Sequence, residues 1–198
     1  MSKLDSAGVT GALLIGGKSQ RFGTDKFRHK IGKSTFGERL LSELQHAIET
    51  VVVSGRKDQS NALPGHEFVP DAWEGEGPLA AVLSVFAATT SDWILFVACD
   101  MPGVTESAIV ELLSFRTKDT RSIVPRGPDG RLHPLFSILH RSTESICRSS
   151  FDTGQRSLRH CIASIGDAGL VVYPTMAPAV LHNVNRIDEL DRFNLTTQ

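Results

Sequence analysis

Basic side chains are concentrated in one segment near the N-terminus, immediately after a pair of glycines. Residues 18–33 contain six lysines and arginines and one acidic residue, Asp25, a local charge of +5 in a chain whose formal net charge is −1. Gly16 and Gly17 allow the backbone to approach a ligand closely and to direct N–H groups toward it. Because a glycine turn with convergent cations binds phosphate groups well, the segment predicts a polyphosphate site. From these residues alone, a solvated basic loop is the alternative.

Two acidic residues follow predicted strands and are candidates for a metal site. Asp100 directly follows the longest apolar run of the chain, residues 93–99, and Asp71 comes after a short predicted strand at residues 67–69. A carboxylate beside apolar walls is unfavourable unless it is paired or bound to a metal. Since one or two carboxylates and substrate phosphates commonly hold Mg²⁺, we expect Asp100 to bind this ion, with Asp71 as a second candidate. A turn or helix-capping role is the alternative for each.

Other motif spacings exclude several classes of enzyme and scaffold. None of the seven histidines lies in an H-E-x-x-H pattern, and no G-x-S-x-G elbow is present, which argues against zinc and serine hydrolases. The three cysteines are odd in number and lack C-x-x-C spacing, so neither a disulfide framework nor a zinc ribbon is expected. Cys99 ends an apolar strand and is expected to be a buried, unreactive thiol.

Charge and hydropathy limit the partners and the compartment. A net charge of −1 gives no basic footprint for nucleic acid or an anionic membrane. No apolar run is long enough to cross a bilayer, and the N-terminus does not resemble a secretory signal. With the cysteine usage, these features predict a cytoplasmic protein that binds neither nucleic acid nor membranes.

The elements that position these residues alternate between short apolar runs and amphipathic segments. Helix starts are indicated by Thr35, Pro78 and Thr105, and a turn is indicated at residues 128–130. The predicted strands are 9–15, 50–54, 67–69, 93–98, 122–125, 133–139 and 170–173, and the predicted helices are 35–47, 79–88, 105–115, two short segments after 139, and 185–193. This order predicts a three-layer α/β/α fold, with a mostly parallel sheet and an antiparallel element in the second half.

Four predicted strands end in residues that suit a ligand. Glycines, bases or carboxylates follow them at residues 16–26, 54–56, 71–78 and 99–102. Ligands of open α/β sheets bind at the carboxyl ends of the strands, so we expect these segments to share one crevice. A relaxed Walker A pattern, Ala12-x-x-x-x-Gly17-Lys18-Ser19, offers a P-loop as the alternative. It requires the aliphatic residues 13–15 to face water, at a cost of about 1.5–3 kcal/mol each.

A longer pattern in the same segment is similar to that of a known family. Residues 14–26, Leu-Ile-Gly-Gly-x-x-x-Arg-Phe-Gly-x-Asp-Lys, resemble the L-A-G-G-x-x-x-R-M-G-x-D-K signature of the molybdenum cofactor guanylyltransferases, the MobA-like nucleotidyltransferases. The resemblance continues in order at Asp71 and at residues 77–80, 98–102, 133–135 and 183–190. The chain departs from the family's usual residues at four positions: Ile15, Phe22, Ser34 and Ser54 replace Ala, Met, Pro and Asn.

The resemblance implies a Rossmann-like enzyme that transfers GMP from GTP to molybdopterin and releases pyrophosphate, with Mg²⁺ as cofactor. It implies one domain over residues 1–198, with a nucleotide-binding half at 9–115 and an acceptor-binding half at 116–198. The implied catalytic residues are Arg21, Lys26 and Asp100, with Asp100 as metal ligand. The implied nucleotide-binding residues are Leu14, Ile15, Gly16, Gly17, Lys26, Ser54, Asp71 and Asp100, and the implied acceptor-binding residues are His133, Asn183 and Asn185.

Three other functions stay open at this point. The first is a related nucleotidyltransferase that uses CTP or another phosphorylated acceptor. The second is a P-loop NTPase, which releases orthophosphate. The third is a non-catalytic GTP-binding adaptor for molybdoenzyme maturation, and maturation proteins are also expected partners of the enzyme itself.

Overall fold

The structure is a computed structural model, and it describes residues 7–17, 25–167, 171–184 and 189. The strands among these residues are β1 (Val9–Leu14), β2 (Lys30–Ile31), β3 (Ser34–Thr35), β4 (Thr50–Gly55), β5 (Glu67–Pro70), β6 (Trp93–Ala98), β7 (Ser122–Ile123), β8 (Phe136–His140) and β9 (Val171–Val172). The α-helices are α1 (Phe36–Ala47), α2 (Pro78–Ala88), α3 (Glu106–Ser114), α4 (Glu144–Asp152), α5 (Leu158–Asp167) and α6 (Pro178–Leu181). Single 3₁₀ turns occupy Lys26–Arg28, Lys57–Gln59 and Arg141–Thr143.

Seven strands form one sheet in the order β5-β4-β1-β6-β8-β7-β9. The first four strands of this order are parallel, β8 runs antiparallel to both of its neighbours, and β9 is parallel to β7. The predicted mostly parallel sheet with an antiparallel element in the second half is therefore confirmed. The most apolar strand, β6, lies at the centre of the sheet, where both of its faces are covered.

Helices cover both faces of this sheet because successive side chains of a strand point in opposite directions. Leu13 of β1 packs in one buried cluster with α1 and α3, whereas Ala12 and Leu14 pack in a second cluster with α2 and α5. The sheet is thus the middle of three layers. None of the helices in the described part of the chain is long and apolar enough to span a membrane.

Local sequence signals explain where the main helices begin. Thr35 accepts a hydrogen bond from the Glu38 backbone N–H, and the Glu38 carboxylate accepts one from the Thr35 N–H, which is the capping box expected before α1. Pro78 occupies the first turn of α2, and the Thr105 hydroxyl caps α3. These three helix starts are confirmed to within one residue.

Several predicted boundaries differ from the structure. The strand predicted at 133–139 begins only at Phe136, because the Phe136 N–H donates to the His133 carbonyl in a turn. The hairpin of β2 and β3 and the four-residue α6 were not predicted, since elements this short carry no hydrophobic period. All but one residue of the helix predicted at 185–193 lies outside the described part of the chain.

The P-loop alternative is wrong for this chain. Leu13 and Leu14 belong to β1, and the following Ile15 is also buried and paired with the sheet. These residues are the interior of a strand and its extension, whereas a P-loop needs them as a loop around phosphates.

Candidate active site

The parallel strands bring their carboxyl ends to one edge of the sheet in register. Leu14 of β1 pairs with Ser54 of β4 on one side and with Ala98 of β6 on the other. The pairing continues past the strand ends, since the Ile15 N–H donates to the Ser54 carbonyl (2.8 Å) and the Cys99 N–H donates to the Leu14 carbonyl (3.0 Å). The segments that follow β1, β4 and β6 therefore begin at the same edge of the sheet.

Lys26 and Asp100 meet at this edge. The Lys26 Nζ lies 3.5 Å from the Asp100 Oδ2, and both side chains are mostly buried, with 16% and 19% of their surface exposed. Lys26 opens a 3₁₀ turn whose next residue, Phe27, is buried in the core and anchors the turn. The predicted convergence of the basic segment with the acidic end of β6 is confirmed, and the catalytic roles of the two side chains stay predictions.

Asn183 joins Asp100 to the second half of the chain. Its Nδ2 donates to the Asp100 Oδ1 (3.1 Å), and the neighbouring Val184 N–H donates to the Asp100 carbonyl (2.8 Å). Asn183 is also hydrogen-bonded to the His133 side chain, whose pKa is lowered by burial and by the charge of Arg131. We call Lys26, Asp100 and Asn183 the Asp100 site. Two of the three predicted acceptor residues are thus in or beside it.

Asp71, Ser54 and Gly16 form a second polar group at the same edge. The Ser54 hydroxyl donates to the Asp71 Oδ1 (3.3 Å), while burial raises the pKa of the Asp71 carboxyl against the opposing effect of that hydrogen bond. A Cβ atom on Gly16 would lie 2.9 Å from the Asp71 Oδ2, closer than real Cβ atoms come. A side chain at position 16 would force the Asp71 carboxylate to shift, because that carboxylate packs on the Gly16 backbone.

The predicted nucleotide-binding residues 14–17, which follow one another at the end of β1, differ in exposure. Leu14 and Ile15 are buried, and the Ile15 N–H is occupied by the Ser54 carbonyl. Gly16 is half-buried and Gly17 is exposed, with a φ of +120° that favours glycine. The nucleotide-binding role predicted for all four residues stays a prediction, and its exposed part is the Gly16–Gly17 peptide.

Arg56 is a polar residue of this edge that our sequence-based assignment missed. Its Nη1 donates to the Gly17 carbonyl (3.2 Å), its Nη2 to the Asp25 Oδ1 (3.2 Å), and its Nε to the Asp58 Oδ1 (3.0 Å). The hydrogen bond to Asp58, and next the one to Asp25, raise the pKa of Arg56. Its position after the carboxyl end of β4 was the signal that could have identified it.

A cavity of about 220 Å³ lies next to the Asp100 site, on the side of the second half of the chain. Asn183 and His133 line it, together with the exposed side chains of Arg131 and Arg159. Its described lining includes no carboxylate. We call it the Arg131–Arg159 cavity, and its charge suits an anionic ligand.

Two predicted residues, Arg21 and Asn185, lie outside the described part of the chain.

Cys99 was expected to be inert, and it is buried, with its pKa raised to about 12 by burial and by the charge of Asp100. That expectation is confirmed, because a thiol with such a pKa stays protonated near neutral pH.

The donor set at Asp100 fits Mg²⁺ better than a metal held only by protein. Asp100 offers one partly exposed carboxylate. Within the described residues, no group of three or more histidines, cysteines or acids could hold a metal ion. Mg²⁺ accepts one or two carboxylates and completes its shell with phosphate oxygens and water, so the residues fit that ion. Its presence stays a prediction.

The chain is similar to proteins of a known family. Residues 11–168 match the MobA-like NTP transferase domain family. The chain belongs to this family. It is 30% identical to a probable molybdenum cofactor guanylyltransferase of Opitutus terrae, covering 95% of this chain and 96% of that protein. It is 27% identical to a molybdenum cofactor guanylyltransferase of Haemophilus influenzae, covering 93% and 96%.

A solved structure shows the same fold. The molybdopterin-guanine dinucleotide biosynthesis protein A of Archaeoglobus fulgidus superposes with a TM-score of 0.75 at 19% identity, covering 94% of this chain and 97% of that protein. The fold and the family matches identify the chain as a nucleotidyltransferase.

Proposed function

We propose that this nucleotidyltransferase transfers GMP from GTP to the terminal phosphate of molybdopterin and releases pyrophosphate. The relatives named above are molybdenum cofactor guanylyltransferases, which supports this choice of donor and acceptor. The observation that carries the proposal is the Lys26–Asp100 pair, which lies beside the Arg131–Arg159 cavity and at the same sheet edge as Gly16, Ser54 and Asp71, which we call the nucleotide edge.

In this reaction an oxygen of the acceptor phosphate attacks the α-phosphorus of GTP. The new P–O bond forms as the bond from the α-phosphorus to the bridging oxygen breaks, and pyrophosphate carries away the electron pair. Such a transfer needs positioning and charge neutralisation more than covalent help from the protein. Lys26 is placed to neutralise charge on the leaving pyrophosphate, and we assign Arg21 the same task from the sequence motif.

Asp100 is the residue that would hold Mg²⁺. When bound, this ion neutralises the triphosphate and supplies a Lewis acid. Asn183 donates to the other carboxylate oxygen of Asp100 and so fixes its orientation. Asp71 and Ser54 lie at the nucleotide edge, where Asp71 can accept hydrogen bonds from a base or a ribose.

The Arg131–Arg159 cavity is the proposed acceptor pocket. Its two guanidinium groups suit an acceptor phosphate, since arginine binds phosphate oxygens in a bidentate manner. The lowered pKa of His133 favours a neutral imidazole, whose single N–H donates to Asn183 and whose other nitrogen can accept a hydrogen bond from the acceptor. Asn183 touches both the cavity and Asp100, so an acceptor in the cavity lies close to a nucleotide held at Asp100.

The test is pyrophosphate release with each of the four NTPs and Mg²⁺, with and without molybdopterin, followed by mass analysis of the product. We expect release with GTP and molybdopterin together and a product heavier by one guanylyl group, which is GMP less one water. Release with CTP indicates the related cytidylyl reaction, and orthophosphate release indicates an NTPase. GTP binding without pyrophosphate for any acceptor indicates the adaptor function. Maturation partners and a cytoplasmic location stay predictions.

A further inference from the structure

Arg56 connects two segments that are separated in sequence by eight positions. Gly17 lies beyond the end of β1, and Asp25 directly precedes Lys26. One guanidinium group donates to both, from Nη1 to the Gly17 carbonyl and from Nη2 to the Asp25 carboxylate, each over 3.2 Å. The nucleotide edge and the turn that carries Lys26 are therefore held by the same side chain.

The contact to Asp25 bears directly on the position of Lys26. The Asp25 carbonyl accepts from the Arg28 N–H (3.0 Å), which closes the 3₁₀ turn that starts at Lys26. Phe27 anchors this turn in the core from one side. The Arg56–Asp25 ion pair is a second contact to the residue that precedes this turn, in which the Lys26 Nζ lies 3.5 Å from Asp100.

The contacts of Arg56 differ in their exposure to solvent. The Asp25 and Arg56 side chains are each 23% exposed, whereas Asp58 is 69% exposed. Arg56 makes two hydrogen bonds to Asp58, from Nε to Oδ1 (3.0 Å) and from Nη2 to Oδ2 (3.2 Å), and solvent screens this outer pair more than it screens the pair with Asp25. The inner pair, Arg56 with Asp25, is less exposed. Arg56 uses Nη2 for Asp25 and Nη1 for the Gly17 carbonyl, so two nitrogens of one rigid planar group bond two different partners. A lysine ammonium keeps the charge at position 56, but it is a point charge and cannot reproduce this fork.

We propose that Arg56 is a positioning residue for nucleotidyl transfer, which sets Lys26 against Asp100 by holding Asp25 and the Gly17 carbonyl. Arg56 acts through Lys26 and need not touch the substrate. The inference rests on the proposed function only for its assay, because it applies to any NTP that the enzyme turns over.

The test is a double-mutant cycle between Arg56 and Lys26, measured by pyrophosphate release with whichever NTP the wild type uses. Arg56→Gln and Asp25→Asn should each lower kcat about 10- to 100-fold, as expected for lost charged hydrogen bonds. Arg56→Lys should retain part of that activity. In a Lys26→Ala background, Arg56→Gln should cost less than about 2-fold more, because the residue it positions is already gone.

Asp58→Asn is the matched control, since it removes the outer ion pair and leaves both inner contacts. It should stay within about 2-fold of the wild type. Asp25→Asn is nearly isosteric and tests the inference even if Arg56→Gln does not fold, which thermal melting shows. A wild-type-like kcat for Asp25→Asn overturns the inference. So does an equal loss in Asp58→Asn, or a full multiplicative loss when Arg56→Gln is added to Lys26→Ala. If the wild type releases no pyrophosphate from any NTP, the proposed function fails, which is a separate result.

Discussion

The two sides of the Asp100 site are built in different ways. On the proposed nucleotide side, Ser54, Asp71 and Gly16 stand at or just after the ends of parallel strands, and backbone register places them. On the proposed acceptor side, the Arg131–Arg159 cavity is formed by a turn, the start of α5 and the segment after α6. Strand pairing fixes the positions on the first side, which is why the sequence predicts them, whereas the second side depends on contacts between distant segments, such as Asn183 on Asp100.

This contrast predicts that substitutions on the two sides separate kinetically. Nucleotide-side changes should alter the KM for GTP, acceptor-side changes should alter the KM for the acceptor, and changes at Asp100 should alter turnover with both substrates saturating.

Asp100→Ala should lower kcat by about 10³-fold, because it removes the carboxylate expected to hold Mg²⁺ at the reacting phosphates. Pyrophosphate release at saturating GTP and acceptor measures this, and thermal melting checks that the fold is kept. Asp119→Ala, which removes an exposed acid elsewhere, is the control and should behave as wild type. Activity of the Asp100 variant within about 10-fold of the wild type would contradict the assigned role.

Gly16→Ala should raise the KM for GTP about 10- to 100-fold, because its Cβ would meet the Asp71 Oδ2 at 2.9 Å and overpacking of this kind is costly. The KM for the acceptor should not change. The control is the same substitution in an Asp71→Ala background, where the obstructing carboxylate is absent. A further loss there equal to that in the wild type would show that the clash with Asp71 is not the cause.

The nucleotide side could be predicted well from sequence because each signal is local. The apolar runs defined the strands, and the polar residues that follow them meet wherever the strands are parallel neighbours. The Thr35–Glu38 capping box and Pro78 located two helix starts in the same way. Four parallel strands with helices between them leave few ways to arrange the sheet.

The acceptor side could be predicted only in part, since its contacts are not local. His133 and Asn183 were named from a motif resemblance, but their link to each other and to Asp100 follows from how the last segment folds back. Arg131 and Arg159 gave no signal, because isolated exposed arginines are common on any surface. Arg56 did carry a signal, its position at the end of β4, but its partners Gly17 and Asp25 become its neighbours only in the folded chain.

Arg131→Ala and Arg159→Ala should each raise the KM for the acceptor about 10-fold, the size expected for one charged hydrogen bond to a phosphate. The KM for GTP should stay within about 2-fold of the wild type, which separates this side from the Gly16 variant. Lys118→Ala, which removes an exposed cation outside the cavity, is the control. An equal rise in both KM values would indicate that the cavity does not discriminate between the substrates.

Because of His133, the folded protein should become slightly less stable as the pH falls. Burial, and next the charge of Arg131, lower the pKa of His133 in the folded protein. The unfolded chain takes up a proton as the pH falls through about 6.5, and the folded protein resists it, so stability is full above that pH and is lost as the pH falls toward the folded-state pKa. His140 has the same direction of shift and contributes equally to the wild type and the variant.

His133→Gln should therefore lose less Tm than the wild type between about pH 7.5 and about pH 5.5, by about 1–2 °C. Thermal melting at both pH values measures the difference, with the exposed His46→Gln as the control. Identical pH slopes for the wild type and His133→Gln would show that burial at this position does not oppose protonation. Because the charge of Arg131 contributes to the lowered pKa of His133, Arg131→Ala should also reduce the loss of Tm on acidification, by less than His133→Gln does. The pH dependence of Tm therefore reports on the charge of the proposed acceptor side.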